Sequence, residues 1–148
     1  MRELARILED ATTIELVDWP HQDVPATLHR AGYSVVGHEP DGYKHYEIVE
    51  GVPVDPGEGR SFPLEDGTFL LGRPLDVMPE VVDIVCVFRP PEEQHDLLRQ
   101  AIEAGIRVFW IHPGVETAPD LAALVEEAGM TFVDGVSIVD AVRALDQD

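Results

Sequence analysis

The sequence predicts an α/β fold of the Rossmann-like type, a doubly wound sheet of about five parallel strands that carries an inserted β-hairpin or long loop. Three observations predict it. Short β-branched or apolar runs alternate with segments of helical periodicity, glycines stand where those helices end, and the chemically different residues 39–73 interrupt the alternation. The 148 residues have the length of one ordinary domain, so we expect a single domain over residues 1–148.

The first unit is β-α-β. Residues 1–10 form a charged helical pattern, and Thr13–Val17 is a short β-branched run that predicts a strand. Residues 24–31 have helical spacing and are followed by Gly32, while residues 33–37 predict the second strand. Such a unit implies parallel strands joined by a right-handed crossover.

The second half repeats this scheme. Residues 81–88 are a nearly continuous apolar run, as expected of a strand covered on both faces. Pro90 and Pro91 stop that strand and open a helix, because proline is well tolerated in a first helical turn, and Gly105 ends the helix. Residues 107–111 predict the next strand.

The last elements continue the alternation to the end of the chain. A helix over about residues 119–128 is followed by a strand over residues 130–133. Ser137 is suited to capping a final helix whose apolar positions are spaced to face a core.

The insertion, residues 39–73, is rich in glycine and proline. Residues 46–52 alternate between apolar and polar, and the pair Asp66-Gly67 stands between apolar residues, which is a hairpin signal. Because the insertion is too short to bury a core alone, we expect an inserted β-hairpin or long loop and not a second domain.

Composition excludes several classes of protein. Twenty-nine acidic against ten basic residues give a net charge of −19, which repels nucleic acid and anionic lipid. The single cysteine, Cys86, excludes a disulfide framework within the monomer and an all-cysteine metal site. No apolar run approaches the roughly 20 residues of a membrane helix, and no signal-peptide pattern begins the chain, so we expect a cytoplasmic protein.

Two segments of the second half resemble a known family. Phe88-Arg89-Pro90 and the pattern Trp110-x-x-Pro113-Gly114-Val115 are similar to the small stand-alone CoA-binding proteins, and so is the first-half step at residues 32–36. These proteins are Rossmann-like domains related to the CoA-binding domain of succinyl-CoA synthetase. The resemblance implies a five-stranded parallel sheet with coenzyme A, or an acyl-CoA, lying across its carboxyl edge.

The resemblance also implies which residues bind the ligand. Arg89, Pro90 and the Pro113-Gly114 turn would hold the phosphates, and the loop around Pro40 would hold the adenosine end. Phe88 and His112 belong to the same loops. Arg89 is also favoured on physical grounds, because it follows a buried strand at its carboxyl end, where ligands bind in open α/β sheets. The first loop, residues 18–23, departs from the family's glycine-containing pattern and places carboxylates where a pyrophosphate would lie.

Two alternatives remain open from the sequence. The chain has no standard catalytic signature, which favours a non-catalytic CoA- or nucleotide-binding module. A Rossmann-like scaffold that binds no ligand could instead use residues 39–73 as an interface, for example in a homodimer. A small metal-dependent enzyme could be built on His21, His38 and His112, which end or follow three strands and would point toward one edge of the sheet.

Overall fold

Five parallel strands form one side of a single sheet, which has eight strands in the described part of the chain. The computed structural model describes residues 2–40, 42–51 and 60–145. The helices are α1 (Arg2–Asp10), α2 (Asp23–Arg30), α3 (Pro91–Glu103), α4 (Leu121–Glu127) and α5 (Ile138–Leu145). The strands are β1 (Thr13–Val17), β2 (Ser34–Glu39), β3 (Gly42–Glu50), β4 (Arg60–Pro63), β5 (Thr68–Pro74), β6 (Ile84–Val87), β7 (Val108–Ile111) and β8 (Thr131–Asp134).

The predicted Rossmann-like alternation is confirmed. The strand order is β4-β5-β3-β2-β1-β6-β7-β8, and β2, β1, β6, β7 and β8 run parallel. The chain moves from β1 to β2 on one side and returns to β6 on the other side of β1. This reversal between β1 and β6 is the topological switch point, where open α/β sheets bind their ligands.

The expectation of a five-stranded sheet is wrong in strand number, because the insertion joins the main sheet. β3 pairs antiparallel with β2, β5 with β3, and β4 with β5, which extends the sheet at the β2 edge. The predicted Asp66-Gly67 hairpin connects β4 and β5, where the left-handed φ of 86° at Gly67 suits glycine. The alternating segment 46–52 belongs to β3 up to Glu50, and residue 52 lies outside the described residues.

One strand begins later than its sequence pattern suggests. The apolar run starts at residue 81, but β6 starts at Ile84, which is level with Ile14 in β1. The carboxylate of Asp83 instead accepts hydrogen bonds from the backbone N–H groups of Thr12 and Thr13, at 2.8 and 3.0 Å. The side chain thus satisfies backbone donors at the start of β1.

The sheet has a core on each face. One core packs α1, α2 and α5 against the sheet and contains the fully buried Trp110 and Tyr46. The other packs α3 and α4 and contains Phe109. Cys86 is buried in the first core, and burial raises the pKa of its thiol far above the usual value, as expected of a small core residue. No helix within the described ranges is both long and apolar enough to cross a membrane.

Candidate functional site

A cleft of about 650 Å³ opens at the carboxyl edge of the sheet, at the switch point between β1 and β6. Its walls come from the end of β1 and the following loop, the end of β2, one residue of β4, and residues of α3 between Glu92 and Gln100. Ligand-binding pockets commonly have volumes of about 300–1,000 Å³, so the cleft has the size of a small-molecule site.

Arg89 reaches into this cleft and is held by two carboxylates. Its Nη1 donates to Asp18 Oδ2 at 3.1 Å, and its Nη2 and Nε donate to the two oxygens of Glu93 at 2.6 and 3.2 Å. Hydrogen bonds to Glu93 and Asp18 raise the pKa of the Arg89 guanidinium. Any anion that binds here must therefore compete with Asp18 and Glu93 for this cation.

Asp18 has an unusual backbone conformation at the start of the first loop. Its φ of 63° is left-handed, and its Oδ1 accepts a hydrogen bond from the N–H of Trp19 at 2.9 Å. Aspartate adopts this conformation more readily than most residues, because its short side chain can bond to the local backbone. The chain therefore makes the turn without glycine, but it places a negative charge in the cleft.

The base of the cleft contains a buried ion pair. Lys44 Nζ lies 2.8 Å from Glu39 Oε2, and the Tyr46 hydroxyl donates to Glu39 Oε1 at 2.9 Å. Lys44 is the only lysine of the chain. Glu39 lines the cleft, but the Lys44 ammonium compensates its charge. The electrostatic potential in the cleft is therefore set mainly by Asp18, Glu93 and the neighbouring acidic residues of α3.

Two aromatic side chains, Trp19 and Phe62, also line the cleft, and the sequence analysis did not single out either. Trp19 meets the Tyr46 ring edge to face at 5.2 Å, and its indole N–H donates to Gln22 Oε1 at 3.3 Å. Its position two residues after β1 was a usable signal. Phe62 lies on β4, and nothing in its local sequence indicates that the insertion folds back to the switch point.

Gln94 supports the loops beside the cleft and was likewise missed. It is fully buried on α3, its Nε2 donates to the carbonyls of Arg89 and Glu116 at 3.1 and 2.6 Å, and its Oε1 accepts from the N–H of Ala118 at 2.8 Å. One side chain thereby connects the loop after β6 to the loop after β7.

The predicted site residues divide into two neighbouring groups. The first group borders the cleft and consists of Pro40, Arg89 and Pro90, and the second lies beside it and consists of Phe88, His112, Pro113 and Gly114. Pro40 and Arg89 line the cleft, and Pro90 directly precedes α3 as its N-terminal cap residue. The Phe88 and His112 rings meet edge to face at 5.8 Å, and His112 Nδ1 lies 3.0 Å from the carbonyl oxygen of Pro113.

Gly114 completes the second group, because a Cβ built on it would lie 3.0 Å from the Phe88 ring. His112 is buried, and its Nε2 has no hydrogen-bond partner among the described residues.

The three histidines proposed for a metal site have separate environments. His21 Nδ1 accepts a hydrogen bond from the N–H of Asp23 at 3.0 Å, His38 stacks on Tyr43, and His112 packs on Phe88. No group of three or more His, Cys, Asp or Glu side chains able to hold a metal ion occurs within residues 2–40, 42–51 and 60–145. The metal-dependent alternative therefore lacks its required cluster there.

Comparisons with known proteins agree with this architecture. A family model described as a CoA binding domain matches residues 18–140. A solved structure of cell-free ID.343 from Thermus thermophilus has a TM-score of 0.66 at 22% identity, with 97% of each chain covered. The PH1109 protein redesigned for binding has a TM-score of 0.69 at 21% identity, covering 99% of this chain and 92% of that one.

A hypothetical protein from Pyrococcus horikoshii OT3 has a TM-score of 0.62 at 21% identity, with 97% of this chain and 90% of that chain covered. At these identities the structural neighbours show a shared fold. No curated protein matches the sequence.

Proposed function

This chain belongs to the CoA-binding domain family, and we propose that it is a non-catalytic module that binds coenzyme A, or a related nucleotide, in the cleft between β1 and β6. The single observation that carries the proposal is the position of Arg89. A guanidinium that opens into a cleft of ligand size at the switch point is suited to binding a phosphate group.

The residues of the cleft fit such a ligand in size and chemistry. Arg89 and the N-terminal end of α3 at Pro90 would hold phosphate oxygens, and Trp19 and Phe62 offer apolar surface for an adenine ring. Pro40 would contact the adenosine end. His112, Pro113 and Gly114 lie on the neighbouring loop and would extend the phosphate site.

Asp18 and Glu93 set the cost of binding an anion. Phosphate would have to displace or share their hydrogen bonds to Arg89, since both carboxylates now occupy that cation. We therefore infer weaker binding of coenzyme A than a glycine at position 18 would allow. An ion pair this exposed contributes only about 0–1 kcal/mol, so the exchange is feasible.

The proposed partner is a small molecule rather than nucleic acid or membrane, given the net charge of −19. A cytoplasmic location and a homodimer belong to the same proposal. The insertion supports a ligand-binding role, because Phe62 of β4 contributes to the cleft wall.

A thermal-shift titration tests the proposal, with coenzyme A, acetyl-CoA, NAD and ATP at low and high salt. A ligand at about 100 times its Kd adds about 2.7 kcal/mol of stability, so coenzyme A should raise the melting temperature until the site is saturated. Arg89→Ala should abolish this rise. The control is Arg107→Ala, an exposed arginine that precedes β7 at the opposite edge of the sheet.

A melting temperature unaffected by all four ligands would contradict the proposal and would favour the scaffold that binds no ligand. An equal rise in melting temperature in the wild type and in Arg89→Ala would show that the protein binds a ligand, but not through Arg89 in this cleft.

A further inference from the structure

A second, smaller pocket of about 110 Å³ adjoins the cleft along α3. Val17, Leu97 and Gln100 line both spaces. The cleft touches Glu93 near the start of α3, and the inner pocket reaches Ala104 just beyond its end. At the helical rise of 1.5 Å per residue this is a path of about 16 Å, which suits an extended chain and not a compact head group.

The residues of α3 that line this path lie on one stripe of the helix. Glu93, Leu97, Gln100 and Ala104 follow one another at spacings of four, three and four, so they share one face. The wall becomes more apolar inward, since the inner pocket is lined mainly by apolar residues such as Met78, Val82, Val85, Ala101 and Ile106.

One largely buried carboxylate lines this mainly apolar pocket, whose other carboxylate, Glu80, is exposed. Glu15, in the middle of β1, is 8% exposed and lines the inner pocket. Its Oε2 lies 3.5 Å from His38 Nδ1, a buried nitrogen that has no hydrogen-bond partner among the described residues. A largely buried carboxylate whose nearby imidazole lies at the limit of hydrogen-bond distance gains from a closer donor, so the site is suited to a donor supplied by a ligand.

Tyr43 stands beside Glu15 in the same pocket. Burial and the negative charge of Glu15 raise the pKa of the Tyr43 phenol, which keeps it protonated. Glu15 is therefore the buried charged acceptor of the pocket, and its charge repels a ligand end that carries a carboxylate.

We propose that the inner pocket receives the distal end of the ligand bound in the cleft, and that Glu15 selects an end bearing a hydrogen-bond donor. This inference rests on the proposed function. For coenzyme A the preferred ligand class is an acyl-CoA with a short acyl group of a few non-hydrogen atoms that ends in an ammonium or hydroxyl group. A plain alkyl end would supply no hydrogen-bond donor to the buried carboxylate, and a carboxylate end would be repelled.

Calorimetric titration of coenzyme A and three acyl-CoAs of similar size tests this selection. β-Alanyl-CoA, with a terminal ammonium, should bind about tenfold more tightly than butyryl-CoA, which corresponds to about 1.4 kcal/mol. Malonyl-CoA should bind more weakly than butyryl-CoA. In Glu15→Gln the preference for β-alanyl-CoA should disappear, while the affinity for coenzyme A itself should be unchanged.

Two further variants distinguish binding in the inner pocket from general effects of a substitution in α3. Ala104→Phe should weaken all three acyl-CoAs but not coenzyme A, because it narrows the inner pocket from an exposed position. Glu103→Gln, an exposed glutamate of α3 outside the pocket, is the control and should retain the wild-type preference.

A second experiment tests the inner pocket without coenzyme A. Titration with n-propylamine, followed by amide NMR, should shift the resonances of Glu15, Tyr43 and Ala101 to saturation, whereas propionate should not. Glu15→Gln should reduce the amine effect. Coenzyme A binding with equal affinities across the acyl series would overturn this inference and leave the proposed function standing. If coenzyme A itself does not bind, the absence of an amine-specific shift overturns the inference separately.

Discussion

The ammonium of Lys44 lies 2.8 Å from Glu39 Oε2 at the base of the cleft, and the two side chains are 3% and 6% exposed. Register brings the two residues together, since β2 and β3 pair antiparallel with Glu39 opposite Gly42 and Gly37 opposite Lys44. The pair places the only lysine of an acidic chain beneath its cleft. Whether such a pair stabilises the fold depends on what replaces it.

Lys44→Met should reduce the free energy of unfolding by about 3–5 kcal/mol, because it leaves the Glu39 carboxylate buried without its ammonium. The double variant Glu39→Gln/Lys44→Met should recover much of this loss, since the amide can still accept the hydrogen bond from Tyr46. Urea denaturation of the three proteins measures both effects. A single variant within about 0.5 kcal/mol of the wild type would contradict the argument.

Local signals predicted the parallel part of the fold well. A β-branched run indicates a strand, and a glycine after a helical pattern indicates the end of a helix, and both signals depend only on residues nearby in sequence. The alternation around Gly32 and Gly105 could therefore be predicted without tertiary information. Arg89 was predictable for a related reason, because its place after an apolar strand fixes it at the carboxyl edge.

Long-range pairing could not be predicted in the same way. Phe62 reaches the cleft because β4 pairs with β5 and β5 with β3, and each register is set by contacts distant in sequence. Gln94 is a polar residue on a helix whose three partners lie in two other loops. Neither position carries a periodic or motif signal of its role.

Asp18→Asn should strengthen coenzyme A binding about threefold to tenfold at low salt. The substitution removes a negative charge 3.1 Å from Arg89, and asparagine accepts the left-handed backbone of this position. Calorimetric titration at low and at about 1 M salt measures the change, which should disappear at high salt, where the Debye length is about 3 Å. Asp10→Asn, at the exposed end of α1, is the matched control. Equal affinity of Asp18→Asn and the wild type at low salt would contradict this account of the cleft.

Gln94→Met should destabilise the protein by about 2–4 kcal/mol. Methionine fills a similar volume but leaves two carbonyls and the N–H of Ala118 without this partner, and an unsatisfied buried group costs about 1–3 kcal/mol. Hydrogen exchange gives the sharper measurement, because protection of the Ala118 amide should fall more than that of β7. A uniform loss of protection across the sheet would instead indicate a global effect.

Gly72→Ala should cost about 1–3 kcal/mol through steric overlap. A Cβ at this position would lie 2.6 Å from Tyr46 Cε1, and the corresponding atom at Gly37 would lie 2.5 Å from Tyr46 Cε2. The two glycines thus make room for one buried ring. In a Tyr46→Leu background the same substitution should cost much less, and a double-mutant cycle from urea denaturation measures the difference. Equal costs in both backgrounds would show that the ring is not the cause.

Stability should fall as the pH rises above about 10, and Tyr33 should account for part of the slope. Burial and the nearby charge of Glu9 raise the pKa of Tyr33 above 10.0, and its hydroxyl donates to the carbonyl of Leu8. The unfolded tyrosine loses its proton first, so the contribution is complete below about pH 10 and is lost as the pH rises through the higher folded pKa. Tyr33→Phe lowers stability at neutral pH by about 1 kcal/mol through the lost hydrogen bond, but it should flatten the alkaline slope.

Urea denaturation between about pH 8 and 11 separates these two effects on Tyr33, because one is a constant offset and the other a change of slope. Tyr33→Phe/Tyr43→Phe should flatten the slope further, since burial and Glu15 raise the pKa of Tyr43 as well. Parallel curves for the wild type and both variants would mean that other groups cause the alkaline loss. Curves that converge as the pH rises would assign the alkaline loss to these two phenols, whose ionisation the folded state opposes.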